Sequence, residues 1–139
     1  MLTSLGRDIG PENTWHPAAA AWFRQRLTRP EEWAFRVVGP EGGALQACGA
    51  AWFTEHLPGP RAPSGQRGYI GFMCTEPDFR RQGHARRILD DLIDWLSLHD
   101  VNRLELHASP ESYALYRSAG FVDDEGVAMY RRLEPPPRG

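Results

Sequence analysis

The sequence predicts a mixed α/β protein, a sheet covered by a few helices, and three observations predict it. An apolar run, YIGFMC from Tyr69, is followed by an amphipathic run, ILDDLIDWL from Ile88, and then by an alternating stretch, RLELH from Arg103. Strand, helix and strand in that order imply a crossover between parallel strands. On either side, strand-like segments joined by turn chemistry imply hairpins, so the sheet is expected to be mostly antiparallel around a central parallel pair.

The first element expected is a helix from His16 to Leu27, where HPAAAAWFRQRL sets alanine-rich helix formers behind an early proline. Trp33 to Val38 (WAFRVV) is β-branched and aromatic, and GPEGG at 39–43 is strong turn chemistry. Ala44 to Glu55 (ALQACGAAWFTE) then returns as the second strand of a hairpin. Residues 56–68, HLPGPRAPSGQRG, hold three prolines and three glycines and read as a long loop. Loops of that length are commonly functional.

Tyr69 to Thr75 suits a central strand, ended by Glu76-Pro77. From Ala85 to Leu98 a helix is expected, because Ala85, Ile88, Leu89, Leu92 and Leu96 fall on one stripe of a 3.6-residue period. Arg103 to His107 alternates like a strand. Ser109-Pro110, a cap followed by proline at the first helical position, opens SPESYALYRSAG, which Gly120 closes. Phe121 begins a final hairpin whose second strand is Val127 to Leu133 (VAMYRRL). Residues 1–133 are expected to form a single domain, with 134–139 (EPPPRG) as a frayed tail.

Composition narrows the function. Apolar residues make up 41% of the 139, with five Trp, so a packed core is expected rather than disorder. A net charge of −2 gives no global attraction to nucleic acid or an anionic membrane. All sixteen basic residues are arginine, which excludes a lysine Schiff base and a P-loop lysine. Cys48 and Cys74 have no CxxC companion, so reduced thiols are expected and no metal site. With no long apolar run and no leader pattern in MLTSLGRDIG, the expected location is the cytoplasm.

One stretch stands out. RRQGHARR at 80–87 crowds four arginines around Gly83 where a helix is expected to begin. Cations there oppose the helix macrodipole by about 0.3–1 kcal/mol each. A glycine-bearing turn entering a helix also presents several unpaired N–H groups, which together make an anion site. The alternative is that Arg86–Asp90 and Arg87–Asp91 are ordinary i,i+4 pairs on a solvated face.

The arrangement resembles the signature of the GNAT superfamily of acyl-CoA-dependent N-acetyltransferases, an Arg/Gln-x-x-Gly-x-Gly/Ala loop between a central strand and a helix. Arg80, Gly83 and Ala85 occupy its defining positions, and Glu76-Pro77-Asp78-Phe79 is similar to the strand exit before it. A second match follows in Leu115-Tyr116-Arg117-Ser118-Ala119-Gly120-Phe121, similar to the family's Tyr-x-x-x-Gly-Phe segment on its last helix. The resemblance runs from about Trp33 to Leu133. It departs from the pattern in three places: only MLTSL is available for the family's opening strand, Arg81 and His84 are bulky loop residues, and Ser109 stands where an asparagine is common.

The resemblance implies direct transfer of acetyl from acetyl-CoA to an amine in a ternary complex, without a metal. The pantetheine arm would lie along Met73, Cys74 and Thr75, with the Met73 N–H polarising the thioester carbonyl. Arg80, Arg81, Gln82, Gly83, His84, Ala85 and Arg86 would surround the pyrophosphate, with Ser109 also at the cofactor. Tyr116 would protonate the departing thiolate and contact the cofactor. Two candidates stand for the general base: Glu55, beside the 56–68 loop, and His107, because a free imidazole titrates near about 6.5. A covalent intermediate on Cys74 is not expected.

The acceptor, a small-molecule or peptide amine, is not legible, although Arg61 and Arg67 hint at an anionic group on it. A homodimer is compatible with the sequence, and neither nucleic acid nor membrane is expected as a partner. The alternative function is a non-catalytic acyl-CoA binder, acting as sensor or partner subunit. A nucleic-acid module is disfavoured because only Phe79 could stack among the arginines. A dinucleotide-binding domain is excluded because G-x-G-x-x-G is absent.

Overall fold

The structure, a computed structural model, describes residues 12–135. The chain divides into two compact units, Met1–Ala108 and Ser109–Gly139. The segment MLTSL lies outside the described residues, as does most of the C-terminal tail.

In the first unit, helix α1 spans Glu12–Leu27, and strands β1 (Trp33–Val38), β2 (Ala47–Glu55) and β3 (Gln66–Thr75) follow. A 3₁₀ turn at Pro77–Phe79 leads to helix α2 (His84–Ser97) and then to the short strand β4 (Leu104–Glu105). The strands form one sheet in the order β1-β2-β3-β4. β1–β2 and β2–β3 are antiparallel, and β3–β4 is the parallel pair across the α2 crossover. The expected mixed, mostly antiparallel sheet is therefore present.

The boundaries differ from expectation in informative ways. α1 begins four residues before His16 and contains Pro17 in its interior. Proline costs a helix one donor and a steric clash. Here the alanine run beyond it carries the helix to Trp22, which packs edge-on against Trp33 at 5.2 Å. β2 starts at Ala47, because Ala44 to Gln46 belong to the turn region. β3 starts at Gln66, so the loop shrinks to 56–65, where a Gly59↔Ala62 bridge folds it upon itself.

The core lies between the sheet and α2. Four residues of the expected stripe, Ile88, Leu89, Leu92 and Leu96, are buried, and they meet Ala34, Ala47, Ala51 and Ile70 from the strands. The strand residues are small because the helix sits close. A Cβ on Gly49 would come within 2.7 Å of Ile88 Cγ2 and 3.2 Å of Leu92 Cδ1. On the opposite face the strands carry aromatic rings, and α1 lies there, with Trp22 and Phe23 both against Phe35.

β3 is not regular. Its pairing with β2 jumps from Cys48↔Cys74 to Ala50↔Gly71, so Phe72 and Met73 together oppose Gly49. This is a β-bulge, with Phe72 in the left-handed region at φ 55°. The Cys48 thiol donates to the Phe72 carbonyl at 3.2 Å, fastening the bulge from the neighbouring strand. Burial, with Cys74 adding, pushes the Cys48 thiol up from 9.0 to about 11.

In the second unit, helix α3 is Tyr113–Ser118, shorter than expected. Ser109 Oγ accepts from the Ser112 N–H at 3.3 Å, so it caps a turn ahead of the helix rather than the helix itself. The expected closing hairpin is absent: residues 121–135 form no strand. Val127, Met129, Tyr130 and Leu133 are 79–91% exposed, so β-propensity here has no burial to support it.

Two measurements check this packing. Gly49→Ala should lose about 1–3 kcal/mol in urea unfolding through overpacking. Gly59→Ala, which meets nothing within 4 Å, should stay within about 0.5 kcal/mol of the parent. Cys48 should alkylate with iodoacetamide at pH 7.5 about a hundredfold more slowly in the folded protein than in urea, as its thiolate population requires. Equal rates would contradict the raised thiol of Cys48.

Candidate functional site

The parallel ladder between β3 and β4 consists of Gly68↔Leu104 and Tyr69↔Glu105 alone. From Ile70 to Thr75, no strand among the described residues pairs along that edge of β3. Met73, Cys74 and Thr75 lie on this length, just past the bulge. A strand edge of this kind offers amide N–H and C=O groups to an extended partner.

β3 runs directly into the arginine-rich turn. Arg80 Nε donates to the Thr75 carbonyl at 3.2 Å and so braces the strand exit. Arg81 and Gly83 are both left-handed, at φ 59° and 80°. Backbone that alternates in this way turns N–H groups inward to form an anion-binding concavity. α2 then begins with no side-chain cap and no acidic residue in its first turn, leaving its first N–H groups without intrahelical acceptors. Gln82 is exposed, Ala85 is half-buried, and His84 is turned inward with Nδ1 buried and without a hydrogen-bond partner.

The alternative reading of the arginines holds for one of them. Arg86 Nε reaches both Asp90 oxygens, at 3.0 and 3.2 Å. The Arg87–Asp91 pair of that reading does not form, and Asp91 pairs instead with Arg36 of β1.

A third group of residues lies on the face of the sheet away from α2. Trp33, Trp52 and Tyr69 align across three strands, with centroids 5.0 and 4.8 Å apart. Trp52 lies over Gly71, where an added Cβ would meet its ring at 2.7 Å. The row ends at His107, whose Nδ1 is hydrogen-bonded to Tyr69 Oη. Beside it, Arg67 Nη1 and Arg103 Nε both donate to Glu105 Oε1 at 2.8 Å. Burial opposes charge on Glu105, but the Arg103 and Arg67 contacts outweigh it and hold the carboxyl below its usual range. Burial, and then Glu105, raise the Tyr69 phenol, so it stays protonated at neutral pH.

The two base candidates thus part company. Glu55 ends β2 opposite Gln66, at the far end of β3 from Met73, a separation of about 23 Å along the strand. His107 lies where β3 and β4 part. In the sequence Tyr69 reads only as the first apolar residue of a strand. Its spacing of two from Arg67 and Gly71 was the only available sign of a shared face.

In the second unit, Tyr116 is 5% exposed and its ring packs on Phe121 at 6.0 Å. Phe121 N–H donates to Tyr116 O and Gly120 N–H to Arg117 O, both at 3.1 Å, with Gly120 at φ 93°. That is a Schellman cap with its hydrophobic contact, and it explains the Tyr-x-x-x-Gly-Phe pattern in backbone terms. Ser109 Oγ is engaged with Ser112 Oγ at 2.9 Å.

Among the described residues, no group of three His, Cys, Asp or Glu could hold a metal ion, and no helix is long and apolar enough to cross a membrane.

Comparison with known proteins places this geometry. No curated protein matches the chain in sequence. Among solved structures, a predicted acetyltransferase of Clostridium acetobutylicum with acetyl-CoA superposes with a TM-score of 0.76 at 24% identity, covering 88% of this chain and 79% of that one. A GCN5-related N-acetyltransferase of Ralstonia eutropha gives 0.77 at 22%, over 94% and 85%. Glucosamine-6-phosphate N-acetyltransferase of Arabidopsis thaliana gives 0.74 at 16%, over 96% and 89%. The sequence profile of the acetyltransferase (GNAT) family matches residues 5–121, most of the chain. With that profile running over most of its length, the chain belongs to the GNAT acetyltransferase family.

Proposed function

We propose that the protein is an N-acetyltransferase moving acetyl from acetyl-CoA to an amine by direct transfer. The observation that carries the reading is the open edge of β3 from Ile70 to Thr75, leading into the turn with left-handed Arg81 and Gly83. The residues present suit acetyl-CoA. Met73 and Thr75 offer backbone groups to the pantetheine amides, and the Met73 N–H meets the thioester oxygen as negative charge develops there. Arg81, Gln82, Gly83 and Ala85 offer N–H groups to the pyrophosphate, with Arg80 and Arg86 adding charge and Ser109 a hydroxyl. The solved Clostridium structure with acetyl-CoA supports the same co-substrate.

The chemistry assigned to the chain is proton transfer. As the amine forms the C–N bond and the C–S bond breaks, Tyr116 gives its phenolic proton to the thiolate. His107 is the base, acting through Tyr69. A phenol that donates to Nδ1 leaves the neutral ring's proton on Nε2, so the basic lone pair faces Tyr69. The amine proton therefore enters at Tyr69 Oη while the phenol's own proton passes to His107. Glu55 has no part in this scheme.

Calorimetric titration with acetyl-CoA, desulfo-CoA and ATP tests the co-substrate: micromolar binding of the first two and not the third is expected. No binding by folded protein would overturn the proposal. With an amine acceptor in hand, Tyr116→Phe, Tyr69→Phe and His107→Gln should each lower kcat by about 10²–10⁴. Acetyl-CoA affinity should stay unchanged in the Tyr69 and His107 variants. Because Tyr69 and His107 act as a unit, their double variant should be no slower than the worse single one. Additive losses would separate the pair.

A further inference from the structure

The face that carries the aromatic row also carries a fixed imbalance of charge. Along its strand positions Glu105 is the one carboxylate among the described residues, and two guanidinium groups, Arg67 and Arg103, converge on a single one of its oxygens. Two guanidinium groups thus share one carboxylate, and the three side chains are 26–37% exposed. Arg67 Nε is buried with no hydrogen-bond partner among the described residues. Glu55 does not correct the imbalance, since strand alternation places it on the opposite face from Trp52.

Charge and aromatic surface are laid out in sequence along β3. Arg67, Tyr69 and Gly71 share this face, with Trp52 lying over Gly71 and the bulge just beyond. If Tyr69 and His107 receive the amine proton, the nitrogen sits near Gly71 and the apolar body lies against Trp52. The far end of the molecule then meets Arg67. Gly71 and Arg67 are about 13 Å apart along the strand, and an arginine side chain reaching back shortens this to roughly the span of a para-substituted benzene ring.

Resting on the acetyltransferase reading, we infer that the acceptor is an amine with a planar apolar body and, opposite the nitrogen, an anionic oxyacid group received at Arg67 and Arg103. Acceptors with several positive charges are the class this face rejects. A second ammonium group would meet two guanidinium groups and find Glu105 already engaged by both. A carboxylate or phosphate instead gains charge-assisted hydrogen bonds at a site that already holds surplus positive charge.

Four acceptors sharing one ring test this on the full chain with saturating acetyl-CoA, product being read by mass spectrometry. They are 4-(aminomethyl)benzoate, 4-(aminomethyl)phenylphosphonate, benzylamine and 1,4-bis(aminomethyl)benzene. The two anionic amines should exceed benzylamine in kcat/KM by about ten- to a hundredfold, the range of a hydrogen bond to a charged group. The diamine should fall below benzylamine, and the order of the two anions identifies the oxyacid. Arg67→Gln should erase most of the anionic advantage, read within that variant as the ratio of kcat/KM for the anionic amines to that for benzylamine. A diamine equal to or better than the anions overturns the inference. So does failure of all four with a protein that binds acetyl-CoA. Absence of acetyl-CoA binding is a separate result, which overturns the acetyltransferase reading and this inference with it.

Discussion

The bulge at Phe72 is the constraint on which the sheet depends. A phenylalanine at φ 55° costs on the order of 1–3 kcal/mol. It is held there by ring contacts to Trp22, Phe23 and Trp52, and by the Cys48 thiol on its carbonyl. The extra residue resets the alternation of β3. Met73 turns toward α2, its Sδ crossing the space above Gly49, while Cys74 returns to the aromatic face opposite Cys48. A bulged strand also bends and twists more sharply. A short strand on its other side cannot follow that bend, and the β3–β4 ladder stops at Tyr69, three residues before the bulge. The open edge and the bulge are thus two results of one backbone irregularity.

The two faces of the sheet divide the work accordingly. Toward α2 the contacts are dry, with small strand residues under Ile88, Leu89, Leu92 and Leu96, all at most 4% exposed. Such a face gives stability and tolerates little change in volume. The other face is aromatic and only partly covered, with Phe23 at 39% and Phe72 at 45% exposure. Polar groups are tolerable there because Tyr69 pairs with His107, and Arg67 and Arg103 pair with Glu105. Chemistry that needs a protonatable pair can reside on this face without unsettling the core.

What could be read in the sequence was whatever local pattern determines. The stripe on α2, the β1 run and the crossover were legible because periodicity and burial agree there. The two glycine-bearing motifs were legible because Gly83 and Gly120 occupy left-handed positions that other residues enter at a cost. The start of β3 was hidden: Gln66, Arg67 and Gly68 look like loop residues, yet Gly68 is small because Leu96 and Leu104 fill its place. The closing hairpin failed for the converse reason, since VAMYRRL has strand propensity but no buried face. Tyr69 carries no local signal because its partner, His107, lies 38 residues away and only the crossover brings them together.

The arginines bear the remaining weight of the argument. Arg86 has a local justification in Asp90, and Arg80 in the Thr75 carbonyl. Arg81 and Arg87 have no ion pair among the described residues, and Asp91, the carboxylate spaced to receive Arg87, is taken by Arg36. Both therefore stand at the positive end of α2 against the macrodipole, in a first turn that holds no acidic residue. A surface selected only for solubility would more easily place carboxylates there. The same turn passes through two left-handed residues, Gly83 and the bulky Arg81, the latter at a cost of its own. Two unfavourable choices, one electrostatic and one conformational, converge on the same few residues. One event would offset both, the binding of an anion with several oxygens at the start of α2.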